Sequence, residues 1–139
     1  MSSAFAKELN KTIEQMPIVL KIVCGAALVL GMLQILALVF PSLSPKMLGK
    51  SITSPFLMLI VGSFHIAIGL GIYKKQKWSI PLIVLLPIFQ FGALYVDRGF
   101  LSKQALISTF IFVLAWAVLF SVYFVHSKAG SYFEKSNNA

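Results

Sequence analysis

Apolar residues run through this chain in four long blocks, each free of Lys, Arg, Asp and Glu. The blocks are Ile22 to Pro45, Ser51 to Tyr73, Trp78 to Val96 and Gln104 to Ser127, of 24, 23, 19 and 24 residues. A hydrocarbon core about 30 Å thick is crossed by roughly 20 residues of helix. The pattern therefore predicts four transmembrane helices, over about residues 18–40, 54–73, 78–96 and 104–126. Prolines punctuate the blocks. Pro17 precedes the first span, Pro41 and Pro45 end it, and Pro55 suits the first turn of the second. Lys74-Lys75-Gln76-Lys77 makes a tight turn into the third span, and Asp97-Arg98-Gly99 turns the chain toward the fourth. Pro87 lies inside the third span, where it removes one backbone hydrogen bond and leaves a carbonyl that neighbouring helices must shield.

The flanks follow other patterns. Phe5, Leu9, Ile13 and Met16 recur at helical spacing, while Lys7, Glu8, Lys11 and Glu14 take other faces. This predicts an amphipathic helix over residues 3–16 lying in the membrane interface. Residues 127–139 read as a polar tail. The expected fold is all-α: an integral membrane four-helix transmembrane bundle (18–126) behind a short N-terminal amphipathic interfacial arm (1–17).

Composition closes off other architectures. The chain is 58% hydrophobic and 12% charged, against about 25% charged in soluble domains, so the 139 residues leave no room for a separate soluble domain. The net charge is +8, and its placement matters more than its size. Lys7, Lys11, Lys21, Lys74, Lys75, Lys77, Lys128 and Lys135 fall on the two termini and the second loop. Lys46, Lys50, Arg98 and Lys103 fall on the other two loops. Cytoplasmic segments carry the Lys/Arg excess, so both termini are expected in the cytoplasm, in a bacterial inner membrane or an equivalent organellar one. Lys21, Lys74, Lys75, Lys77 and Trp78 are the expected interface anchors. The basic surface is expected to face anionic lipid head groups, not nucleic acid. Glu8 and Glu14, with the long apolar stretch behind them, do not fit a signal peptide. The single Cys24 has no disulfide partner and no CxxC context.

Small residues mark the packing faces. In the first span Cys24, Ala27, Gly31 and Gln34 follow a 3-4-3 spacing. In the second, Met58, Gly62, His65 and Gly69 follow 4-3-4, with Ser63, Ala67 and Gly71 as a second small stripe. Such stripes let helices approach closely, and polar side chains bond across the seam. Spans one and two are therefore expected to pair as an antiparallel hairpin with Gln34 and His65 buried.

Polar residues inside the spans are the candidate ligand-binding set: Gln34, His65, Gln90 and Trp116. At about 1.5 Å rise per residue, Gln34 and Trp116 fall near the midplane, with His65 to the termini side and Gln90 to the other. A Gln34–His65 or Gln34–Gln90 hydrogen bond is within reach, His65 reads either as a ligand-binding group or as a neutral imidazole satisfied by a Gln, a Ser or a carbonyl, and either Gln can accept from the Trp116 N–H. Gln34-x-x-Ala37-Leu38 recurs as Gln90-x-x-Ala93-Leu94, a match that stops at spans one and three. No span carries a central acid or base, so the chain resembles small multidrug exporters only in its outline. The second histidine, His126, is several turns from His65 in level, and these with Cys24 are too few for a metal site. No metal, no cofactor and no catalytic residue is expected. The run from Ile68 to Trp78 resembles the central hairpin of small four-helix bacterial proteins, a likeness of eleven residues that implies no activity.

The resulting expectation is a non-catalytic accessory or scaffold subunit of a larger membrane complex. Its partners would be the lipid bilayer and other membrane subunits or copies of itself. The alternative is a membrane-embedded binder or transporter of a quinone, haem or apolar small molecule. A holin-like pore former comes third, since no polar stripe marks a pore.

Overall fold

The computed structural model describes residues 2–99, 102–127 and 129–134. It consists of six helices: α1 (Ser2–Gln15), α2 (Ile18–Leu36), α3 (Pro55–Tyr73), α4 (Ser79–Arg98), α5 (Lys103–His126) and α6 (Ala129–Glu134), with a 3-10 turn at Pro41–Leu43. No strand forms among the described residues. The fold is an all-α bundle in which α2, α3, α4 and α5 are each long and apolar enough to cross a membrane. At 19, 19, 20 and 24 residues they are about 28 to 36 Å long.

The helix ends follow local chemistry. α2 stops four residues short of the expected 40 because Phe40, preceding Pro41, is held at φ −121° and ψ 84°, outside the helical region. The last carbonyls of α2 are closed by tighter bonds, from Leu38 N–H to Ile35 O (3.1 Å) and from Val39 N–H to Leu36 O (3.0 Å). α3 begins at Pro55 in its first turn, with the Ser54 hydroxyl accepting from Leu57 N–H at 3.5 Å. It ends in a Schellman arrangement. Gln76 N–H bonds Gly71 O at 2.8 Å and Lys75 N–H bonds Ile72 O at 3.1 Å. The left-handed position, φ 56°, is taken by Lys75 instead of glycine.

α2 and α3 form the most extensive pairing, followed by α3 with α4 and α4 with α5. Gly31 and Gly62 make the α2–α3 crossing possible. A Cβ on Gly31 would stand 2.9 Å from the Gly62 carbonyl oxygen, and one on Gly62 would stand 3.1 Å from that of Gly31. Next along the seam Ala27 is buried, and the Cys24 thiol donates to Gly69 O at 3.3 Å. Of the second expected stripe only Gly71 packs closely, beneath the Trp78 ring. Ala67 is half-buried and Ser63 is exposed, because that stripe curves away from α2.

Two apolar clusters hold the bundle. One, at the end carrying both termini, gathers Leu20, Ile68, Ile72, Ile83 and Phe120 with Tyr132 and Phe133. The other, at the opposite end, gathers Ala37, Ile52, Met58, Val61, Ala93 and Leu94, and draws nothing from α5. Only Thr109 and Phe120 of α5 are buried. Its inward line is aromatic: Phe112, Trp116, Phe120 and Phe124, four apart, stack along the helix with centroid distances of 6.0, 4.5 and 6.1 Å.

The segment expected as a polar tail contains α6. Residues 128 and 135–139 of that tail lie outside the described residues. Tyr132 and Phe133 are buried, and the Tyr132 hydroxyl donates to Ile72 O at 3.0 Å. Burial pushes this phenol up to about 12, which keeps it protonated and donating. The Lys75 ammonium donates to Gln15 Oε1 at 3.1 Å and lies 5.3 Å over the Tyr132 ring. One cation thus joins α1, the α3–α4 turn and α6. At the other end Asp97, expected in a turn, sits in the last turn of α4. Its carboxylate accepts from Thr53 N–H (2.7 Å), Thr53 Oγ1–H (3.0 Å) and Ser54 N–H (2.9 Å), capping α3 from a neighbouring helix. Outside, Val29, Phe56, Val96, Phe110 and Val125 are all exposed, an apolar exterior suited to lipid chains.

Gly31→Ala is expected to destabilise the bundle by about 1–3 kcal/mol, because backbone faces the new methyl. Gly25→Ala, with nothing within 4 Å, is expected to be neutral or stabilising by up to about 1 kcal/mol. Unfolding by titration with a denaturing detergent in micelles separates the two. Equal effects would show that the α2–α3 crossing is not backbone-limited.

Candidate functional site

A proline inside a membrane helix creates the central feature. Pro87 has no N–H, so the carbonyl four residues earlier, Ile83, loses its helical donor. The indole N–H of Trp116 on α5 fills it, at 2.8 Å. This corrects the expectation that Gln34 or Gln90 accepts from Trp116. An orphan carbonyl in an apolar interior is the stronger claim on a buried donor, since leaving it unpaired costs several kcal/mol in lipid.

The exchange leaves both glutamines without those partners. Beside Pro87 is a cavity of about 340 Å³. All four residues singled out from the sequence, Gln34, His65, Gln90 and Trp116, line it. Leu30, Leu86, Pro87, Phe91 and Phe112 supply its apolar wall, and Pro45, Lys46 and Met47 of the α2–α3 loop border it. Phe91 and Phe112 meet edge to face at 5.9 Å on the α4–α5 side. Leu30 and Phe112 are 40% and 49% exposed, so the cavity is open toward the side of the bundle, where α2 and α5 make no extensive contact.

Inside, the polar groups are arranged unevenly. Gln34 is 2% exposed and its Nε2 has no hydrogen-bond partner. Gln90 Oε1 is buried and also unpartnered. One is a donor and the other an acceptor, yet no bond joins them, so the Gln34–Gln90 bond that lay within reach is not made. Gln34 Nε2 makes no bond to His65 either. His65, 4% exposed, satisfies itself on its own helix, with Nδ1 2.8 Å from Val61 O. A carbonyl only accepts, so Nδ1 carries the hydrogen and Nε2 is left as an acceptor. Among the described residues no group of three or more His, Cys, Asp or Glu comes together as a metal site.

Sequence reasoning picked the four polar residues but missed the parts contributed from elsewhere. Phe112 belongs to the four-apart aromatic line of α5, which a search for aromatic periodicity would have found. Lys46 and Met47 reach the site only because Met47 and Lys50 exchange backbone bonds of 2.6 and 2.9 Å, folding the loop back on itself around Leu48 and Gly49 at positive φ. The expected anchors stand at the termini end. Lys74, Lys77 and Trp78 are exposed, and Lys21 and Lys75 are half-buried. Comparison with protein-family models, curated proteins and solved structures gives no match to this chain.

Trp116→Phe is expected to cost about 1–3 kcal/mol by stranding the Ile83 carbonyl. In a Pro87→Ala background the restored N–H at residue 87 serves that carbonyl, and the cost should fall by at least half. A double-mutant cycle on stability in micelles reads this coupling. Additive effects would mean that the indole contributes packing alone.

Proposed function

We propose that this protein is a membrane-embedded, non-catalytic binder of a lipophilic small molecule with a polar head. The observation that carries the reading is the cavity itself. It is sized for a small molecule, walled by apolar side chains, and supplied with two buried polar atoms that the protein leaves unpaired. Buried polar atoms are nearly always partnered, and in a bilayer the missing partner must come from a molecule in the cavity. Of the ligands considered from sequence, a quinone-class molecule, whose hydroquinone form offers donors as well as acceptors, fits this chemistry better than haem, for which His65 has no second histidine at its level. Nothing supports an accessory-subunit role as directly. The exposed face of α5, including Phe110, Ile111, Leu114 and Val118, suits lipid, another subunit or a second copy alike.

In this reading both termini face the cytoplasm of a bacterial inner membrane or an equivalent organellar membrane. The eight cations of the termini and second loop, against four on the other side, support that orientation. The arm α1 lies along the same interface, with Phe5 and Ile13 exposed for lipid and Lys7 and Lys11 among the head groups.

Protein purified from its native membrane and extracted with organic solvent should release one lipophilic compound in near-stoichiometric amount. That compound should fall at least five-fold in a Gln34→Leu variant that still folds. An extract matching bulk lipid in both proteins would end the binding reading. Separately, a periplasm-dependent reporter fused after residue 134 should stay inactive, and one inserted at Leu48-Gly49 should be active. The reverse pattern would overturn the orientation.

A further inference from the structure

The cavity's two orphan atoms specify more than binding. Resting on the binding reading above, we infer that the site takes amphiphiles whose head group offers a hydrogen-bond donor as well as an acceptor, and discriminates against heads that only accept. Gln34 Nε2 needs an acceptor, and Gln90 Oε1 needs a donor. His65 Nε2, left as an acceptor by the Nδ1–Val61 bond, is a further acceptor on the lining. The indole N–H of Trp116, which would otherwise have offered a donor to the cavity, is spent on Ile83 O. The lining thus leaves one buried donor and one buried acceptor unmet. An acceptor-only head, such as a quinone, an ester or an ether, satisfies Gln34 and strands Gln90. A hydroxyl, a primary amide or a hydroquinone satisfies both.

The energetic sense follows from desolvation. A site built around a polar partner rejects an analogue lacking it much more strongly than a hydrophobic pocket rejects an extra methyl group, because its own buried atoms are left unpaired. Lys46 borders the cavity but is itself exposed, so its ammonium is hydrated without a ligand and creates no comparable demand. The selective element is the neutral glutamine pair. Redox state would then decide occupancy for a quinone-class ligand: the hydroquinone carries the donors, and its oxidised form carries none.

The test uses a long-chain primary amide and its N,N-dimethyl counterpart, which share tail and carbonyl and differ in the N–H donors. The protein carries Trp78→Phe, outside the cavity, so that Trp116 is the sole tryptophan and its fluorescence reports occupancy in lipid nanodiscs. The primary amide should bind saturably and about ten-fold or more tightly than the dimethyl amide. Gln90→Leu should bring that ratio to within two-fold of one, and the comparison with the variant cancels any difference in membrane partition. Should Gln90→Leu not fold, the two-amide ratio on the otherwise intact chain decides alone. Equal, saturable binding of both amides would overturn the donor requirement and leave the binding reading standing. Saturable binding of neither would overturn both and assign the cavity to water.

Discussion

Inside a bilayer a backbone polar group has no solvent to turn to, and this constraint organises the protein around a single breach. Pro87 interrupts α4, and the carbonyl it strands at Ile83 must be met from another helix. Trp116 meets it at 2.8 Å. That bond ties α5 to α4 at the middle of the aromatic line that runs from Phe112 to Phe124. It also commits the one mid-membrane indole donor. The glutamines near Pro87 are thereby left facing an open space. The cavity is the direct counterpart of a repair made next to it.

The remaining bundle is built to keep that space from collapsing. Gly31 and Gly62 hold α2 and α3 close enough for their backbones to touch, so this pair forms a rigid wall bearing Gln34 and His65. The two apolar clusters lie above and below. One closes the termini end with residues from α2, α3, α4, α5 and α6. The other closes the opposite end without α5. The helix that carries Trp116 is therefore packed into the cluster at the termini end, held at its middle by the Ile83 bond, and tied nearer its other end only by Tyr95 OH on Thr109 Oγ1 at 3.0 Å. It does not seal against α2, and the side opening results.

Much of this was legible in the residues. Uninterrupted apolar blocks have one stable solution in lipid, so the number and place of the spans followed from length alone. The Gly31–Gly62 seam was readable because small residues at helical spacing have few other uses in a span. The polar set was readable because polar side chains are rare there. Their pairing was not. Choosing between Gln34, Gln90 and Ile83 as acceptor for Trp116 requires knowing which carbonyl comes within 2.8 Å, a matter of helix rotation that uniformly apolar spans do not encode. Asp97 was read as turn chemistry, although it is the only Asp in the chain; its role as a cap depends on Thr53 and Ser54, more than forty positions away. α6 was hidden because two aromatic residues in a polar stretch fall below any periodic signal.

The cluster at the termini end also imposes an order in time. Met16, Leu20 and Ile72 share that cluster with Tyr132 and Phe133, and Lys75, in place of the usual glycine at its turn, sits over the Tyr132 ring. During synthesis, α1 to α4 emerge long before residue 133 exists. The nascent hairpins must wait in the bilayer with this seam uncovered and its last face wetted by lipid chains. Closure of this end is then a late event that awaits the six-residue helix α6.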